Sequence, residues 1–146
     1  MTWVKREAER RNERQEREAA DRAARLEENR MIAAKAKYFW QALLVELRHC
    51  VDEYRELQPP NLAILRELNS HELIVEKTTH PSAAVVVTLD IDALTLEYVH
   101  RKSGGSQTRD TETTGKQNLS LDSEGEVWTG SNLDALTELL LLPVLF

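Results

Sequence analysis

The stretch Val85-Val86-Val87-Thr88-Leu89-Asp90-Ile91-Asp92-Ala93-Leu94-Thr95-Leu96-Glu97-Tyr98-Val99 decides the fold of this 146-residue chain. Val85, Val87, Leu89 and Ile91 alternate with Val86, Thr88, Asp90 and Asp92, and then Leu94, Leu96 and Tyr98 alternate with Thr95, Glu97 and Val99. A strand sends successive side chains to opposite faces, so a period of two reads as two half-buried strands. If the chain reverses at Asp92-Ala93, Ile91 faces Leu94, Leu89 faces Leu96 and Val87 faces Tyr98. The large apolar residues then share one side, while Thr88 and Glu97 face water on the other. Asp-Ala lacks the glycine that a two-residue turn favours, so a longer loop also fits.

The same period extends outward in both directions. Upstream, Leu73 and Val75 alternate with Glu72, Ile74 and Glu76, and His80-Pro81-Ser82 forms a turn. Downstream, Ser103 to Gly115 is polar and without periodicity, and reads as a loop between strands. Lys116 to Asp122 and Glu126 to Thr129 resemble a final hairpin, closed by Ser123-Glu124-Gly125 with glycine supplying a positive φ. After Gly130, Ser131 or Asn132 caps a last helix in which Leu133, Leu136, Leu139 and Leu140 recur at helical spacing, and Pro143 stops it. With Leu141 and Leu142 this helix is apolar nearly all round, which predicts cover on both sides. Asn61 to Leu68 reads as a short helix, with Asn61 as N-cap and Leu62, Leu65 and Leu68 at helical spacing. An extended run ending in a turn at Asn69-Ser70-His71 is the alternative.

The N-terminal side has a different texture. Residues 2–30 carry no proline or glycine, and few large apolar residues beyond Trp3, Val4 and Leu26. Acid-first pairs at i,i+4 recur (Glu7 with Arg11, Glu13 with Arg17, Glu18 with Arg22, Asp21 with Arg25), each worth about 0.2–0.5 kcal/mol to a solvated helix. From there Ala33, Ala36, Trp40, Leu43, Leu47, Cys50, Tyr54 and Leu57 follow alternating steps of three and four, the seam of a coiled coil. Phe39, Leu44 and Val51 widen the stripe to what a helix packed on a sheet requires. Pro59-Pro60 ends it. A helix from Thr2 to Leu57 would be about 80 Å long at roughly 1.5 Å per residue, longer than a compact domain of this size needs.

The expected architecture is therefore α+β. A charged helical arm over residues 1–30 precedes one domain over 31–146, with a helix at 31–58, an antiparallel meander of about five strands within 72–130, and a C-terminal helix at 131–142 packed on the sheet. One sheet face is apolar, and the helices are the available cover. This order of elements resembles the cystatin-like and NTF2-like classes in layout only, and a layout carries no function.

Composition removes several functions. The longest apolar run, Leu139 to Phe146 with Pro143 inside it, falls well short of the roughly 18–20 residues of a bilayer span. Met1 to Arg6 leads straight into alternating charge with no apolar signal region, which favours a cytoplasmic protein. The one cysteine, Cys50, excludes an internal disulfide and a cysteine-built metal site. The net charge of -6 is unevenly spread: residues 1–60 hold 13 Lys/Arg against 12 Asp/Glu, and residues 61–146 hold 6 against 13. An acidic body repels phosphate backbones and the arm's arginines have acids beside them, so nucleic acid is a poor partner.

Candidate chemistry is thin. Glu46, His49 and Glu53 share one side of a helix, but the di-iron pattern they half resemble needs a second Glu-x-x-His unit that the sequence lacks. Cys50 sits in the apolar stripe, where a thiol is inert. Lys102 to Ser106 lacks the Gly-Lys-Ser/Thr and helix start of a phosphate loop. Asp122, Glu124 and Glu126 have the wrong glycine position for a calcium loop and read as a hairpin turn. No catalytic residue, metal or cofactor is expected. The sequence favours a non-enzymatic interaction or assembly module, a homodimer or part of a larger protein complex, with Trp3, Trp40, Leu43, Leu47, Leu57 and Trp128 as interface residues. On that reading Leu47→Asp separates two chains, and if the stripe is instead the chain's own core it unfolds one. The competing expectation is a small-molecule or enzymatic pocket between sheet and helix, with Tyr98 and His100 at its mouth.

Overall fold

The computed structural model describes residues 2–104 and 109–146, which form α1 (Trp3–Leu57), β1 (Ala63–Asn69), β2 (Glu72–Lys77), β3 (Ala83–Asp90), β4 (Thr95–Lys102), β5 (Thr111–Asn118), β6 (Ser120–Leu121), β7 (Val127–Trp128) and α2 (Leu133–Leu145). The chain divides into two units, Met1–Met31 and Ile32–Phe146. In the first, every described residue is helical or leads into the helix, and every one is exposed. Its close ion pair joins Arg30 to Glu27 at 3.5 Å.

The second unit is built on a five-stranded antiparallel meander, β1-β2-β3-β4-β5. The β3–β4 register is the one the alternation predicts: Leu89 opposite Leu96 and Val87 opposite Tyr98. The reversal takes four residues, Ile91 to Leu94, rather than two, because Asp90 pairs with Thr95. Asp90 Oδ1 accepts the Ala93 N–H at 3.0 Å, and Leu94 takes the left-handed conformation (φ 55°) that a glycine would otherwise supply. Leu94 also packs against the core, which accounts for a large side chain at a strained position.

Period-two burial is clean across the next strands. Leu73, Val75, Val85, Val87 and Leu96 are fully buried on one face, and Ile74, Val86 and Val99 on the other are only half-buried. The buried face joins one apolar cluster with Ala36, Phe39, Trp40, Leu43, Leu47, Val51 and Tyr54 of α1 and with Leu136, Leu140, Leu141 and Val144 of α2. α2 lies against β2, β3 and β4. Arg48 of α1 reaches Glu67 of β1 at 3.0 Å, and the Tyr54 ring meets Phe146 edge-on at 5.5 Å between centroids.

Three boundaries differ from the sequence reading. Residues 63–69 form β1 and not a short helix, because Ala63 and Leu65 pair with Lys77 and Val75 and turn inward. Asn61 caps nothing; its side-chain amide donates to the Tyr54 hydroxyl at 3.1 Å. Thr111 to Gly115, expected as loop, belongs to β5, and Lys116 to Asn118 continues that strand against β4, so the last hairpin shrinks to Ser120–Leu121 with Val127–Trp128. The centre of the expected loop, residues 105–108, lies outside the described residues. α2 also runs through Pro143 to Leu145, and Leu139 and Leu142 are exposed, so it is covered on one side only. A proline so close to a helix end withdraws one amide where carbonyls are already going unpaired. Asn132 is the N-cap, accepting from the Ala135 N–H at 2.8 Å.

Gly115 explains how a polar strand holds its place. It stands opposite Tyr98, whose ring occupies the position a Cβ at residue 115 would need. An aromatic laid over a cross-strand glycine restores the contact that the missing side chain forfeits. Gly115→Val must therefore push the Tyr98 ring off the sheet. It should cost about 1–3 kcal/mol, the usual overpacking range. The readout is the urea midpoint of unfolding, and a midpoint equal to or above wild type, as valine's strand preference alone would give, contradicts this contact.

Candidate functional site

The residues expected at an interface fall into two groups. Trp40, Leu43 and Leu47 are 5 %, 0 % and 0 % exposed within this one chain. The stripe they belong to is thus satisfied by the sheet and α2 of the same molecule, which corrects the expectation that it meets a second helix. A heptad-like stripe and a stripe packed on a sheet differ only in width, and Phe39 and Val51, both buried, supply the extra width. Trp3 and Leu57 keep most of their surface, at 72 % and 68 % exposed. Trp128 is half-buried on β7.

Tyr98 and His100 do lie side by side on the covered face, their rings 5.4 Å apart, but each is engaged in holding the fold. Tyr98 covers Gly115. His100 Nε2 lies 2.8 Å from the Leu140 carbonyl of α2; a carbonyl only accepts, so this nitrogen carries the proton. Nearby, Lys77 is buried and its ammonium donates to the Leu145 carbonyl at 3.5 Å. A cation at the last carbonyl of a helix complements both the unpaired oxygen and the helix dipole. Nothing in the sequence pointed to Lys77 beyond its inward phase, two residues after Val75.

Two clefts open on the helical side of the second unit. One, of about 610 Å³, lies between Tyr38 and Phe39 of α1 and the β6–β7 hairpin with Trp128. Lys35 crosses it to donate to the Gly125 carbonyl at 2.7 Å. The hairpin turn is tied by Asp122, whose Oδ1 accepts from the Glu124 and Glu126 amides at 2.8 and 3.0 Å, so that carboxylate is committed to the turn. The other cleft, of about 360 Å³, separates α1 from α2 and is lined by Cys50, Tyr54, Leu57, Leu141 and Phe146. Burial pushes the Cys50 thiol above its ordinary pKa, and the Glu46, Glu53 and Asp134 carboxylates add to the rise, against a hydrogen bond with Thr137 that lowers it. At neutral pH the group is a thiol and not a nucleophilic thiolate.

His49 and Glu53 approach to 3.7 Å on the exposed side of α1, and Glu46 adds no ligand geometry there: among the described residues no group of three or more His, Cys, Asp or Glu is placed to hold a metal ion. Among the same residues no helix is long and apolar enough to cross a membrane. Compared with protein-family models, with curated proteins and with solved structures, the chain finds no match.

With Leu47 fully buried among its own chain's residues, Leu47→Asp places an unpaired carboxylate in the apolar core. Such a change costs on the order of 4–5 kcal/mol. Loss of the cooperative thermal transition by circular dichroism is the expected result. A variant that keeps its melting temperature and only loses mass on a sizing column would return the stripe to an interface between chains.

Proposed function

We propose that this chain is a non-enzymatic protein-interaction or assembly module, acting in the cytoplasm as a homodimer or within a larger protein complex. The observation that carries the reading is the first unit, a helix of some thirty residues with every described side chain exposed, Trp3, Val4 and Leu26 among them. A helix that buries no apolar face draws little stability from its own chain, and helical stability in proteins comes mostly from packing. Exposed tryptophan on such a helix is suited to contact another protein, because it buries a large area at little entropic cost. The free thiol of Cys50 agrees with a reducing compartment.

The engagement of the pocket residues supports the same reading. A binding site at Tyr98 and His100 would need those side chains free, whereas one packs on Gly115 and the other bonds to Leu140.

Light scattering on a sizing column tests the proposal. The full chain should have the mass of a dimer or larger species, rising with concentration. Residues 32–146 hold the whole apolar cluster and can be measured beside it; assembly lost on removing the arm assigns the contact to the arm, and assembly retained assigns it to the body. A monomeric full chain at every concentration contradicts self-assembly.

A further inference from the structure

The helix-free face of the sheet carries a pattern that the core does not require. Its middle row runs across three strands as Ile74, Val86 and Val99, each opposite the next, between Arg66 on β1 and Thr114 on β5. On one side of it lies the row Glu72, Thr88, Glu97 and Lys116; on the other lies Glu76, Ala84, Arg101 and Glu112. The apolar row is only half-buried, although β-branched residues at three successive central positions are the kind that pack against something. Within the chain the charges alternate: Glu97 stands opposite Lys116, and Arg101 pairs with Glu112 at 3.2 Å.

We infer that this face is a self-association surface, on which a second copy of the chain seats about a two-fold axis lying along the Ile74–Val86–Val99 row. This rests on the assembly reading above and gives it a surface. Turning a copy over about that axis lays each strand on its own counterpart, with positions two before the row facing positions two after it. On β4, Glu97 comes over Arg101 of the second copy and Arg101 over its Glu97. On β5, Lys116 comes over Glu112 and the reverse. On β3, Ala84 meets Thr88, and on β1, where the register shifts between Glu67 and Asn69, Ile64 meets Asn69. Two overlaps are of like charge, Glu72 on Glu76 and, in the row itself on β1, Arg66 on Arg66 of the second copy; they lie side by side, each Arg66 guanidinium holding its own Glu76 at 2.9 Å, so that the opposite charges share one cluster. An isologous interface must be self-complementary, and β3, β4 and β5 meet that demand residue by residue. Pairing within the sheet ties the signs on β5 to those on β4, so the change of sign along β4 is the observation that favours a second copy.

The dimensions agree. Sheets pack face to face roughly 10 Å apart with nearly aligned strands, which valine and isoleucine fill from both sides and which Glu and Arg span. Five strands at about 4.8 Å and eight residues at about 3.4 Å give a footprint on the order of 600 Å² per copy. That is below the roughly 800 Å² per partner of a standard stable complex, so the dimer should dissociate on dilution.

The test reverses all four charges in the full chain, as E97R/R101E/E112K/K116E. The variant keeps opposite charges both within its own sheet and across the two-fold axis, so circular dichroism and dimer mass should match wild type. Mixed with wild type, however, it sets Glu97 over a glutamate and Lys116 over a lysine. Native mass spectrometry of the mixture should show the two homodimers, with the mixed dimer well below its statistical share. A companion variant, Lys116→Glu, changes one exposed residue of the edge strand and sets it opposite Glu97, so its fold is checked by circular dichroism before its mass is read. It should weaken the dimer roughly tenfold, from two exposed pairs lost per dimer. Free mixing at the statistical share, or full affinity in Lys116→Glu, overturns the inference while leaving assembly through another surface standing. Wild type that is monomeric throughout overturns self-assembly altogether, this surface included.

Discussion

The inward rows of β2, β3 and β4 must be kept from water, and nearly every other feature of the second unit follows from how that is done. Leu73, Val75, Val85, Val87 and Leu96 present a continuous apolar face. At about 25 cal/mol per Å² of apolar surface, leaving it open would forfeit the main favourable term in folding. Two helices cover it, with α2 directly over the three central strands and the buried stripe of α1 completing the cluster. The width of the α1 stripe, the leucine-rich composition of α2 and the strict alternation in the strands are three expressions of the same constraint.

Two polar groups drawn into that layer, Lys77 and His100, are met by carbonyls of α2. Lys77 continues the inward phase of Val75 and would be a buried, unpaired cation if the Leu145 carbonyl were not there to accept from it. His100 continues the inward phase of Tyr98 and finds the Leu140 carbonyl. The Leu145 carbonyl is one of the terminal acceptors without an intrahelical partner, whereas the Leu140 carbonyl lies a turn earlier and takes His100 on its second lone pair. The two residues that look most like chemistry on this face are thereby the ones that fix the helix to the sheet.

How much of this was legible in the sequence depends on whether local pattern and tertiary demand agreed. Along Val85–Val99 they agreed, and the register followed from alternation alone. At Leu62, Leu65 and Leu68 they conflicted: the spacing is helical, yet pairing of Ala63 and Leu65 with β2 outweighs it. Thr111–Gln117 has no apolar period to read, because β5 is an edge strand held by β4 and by the Tyr98 ring on Gly115. The α1 stripe was legible as apolar but not as to its partner, since a helix carries the same spacing toward another chain as toward its own sheet. No candidate site residue declared its contacts in advance; Tyr98 and His100 were legible as sharing the inward phase of Leu96, but not their contacts with Gly115 and the Leu140 carbonyl.

The structure thus has one sheet face closed by its own helices and one that we infer to receive a second copy. Carbene footprinting of the full chain across a dilution series, read residue by residue, separates the two most directly. Val85 and Val87 should resist labelling at every concentration, while Val86 and Val99, their neighbours on the other face, should label in dilute solution and become protected as the dimer forms. Equal labelling of Val86 and Val99 in monomer and dimer would contradict the account.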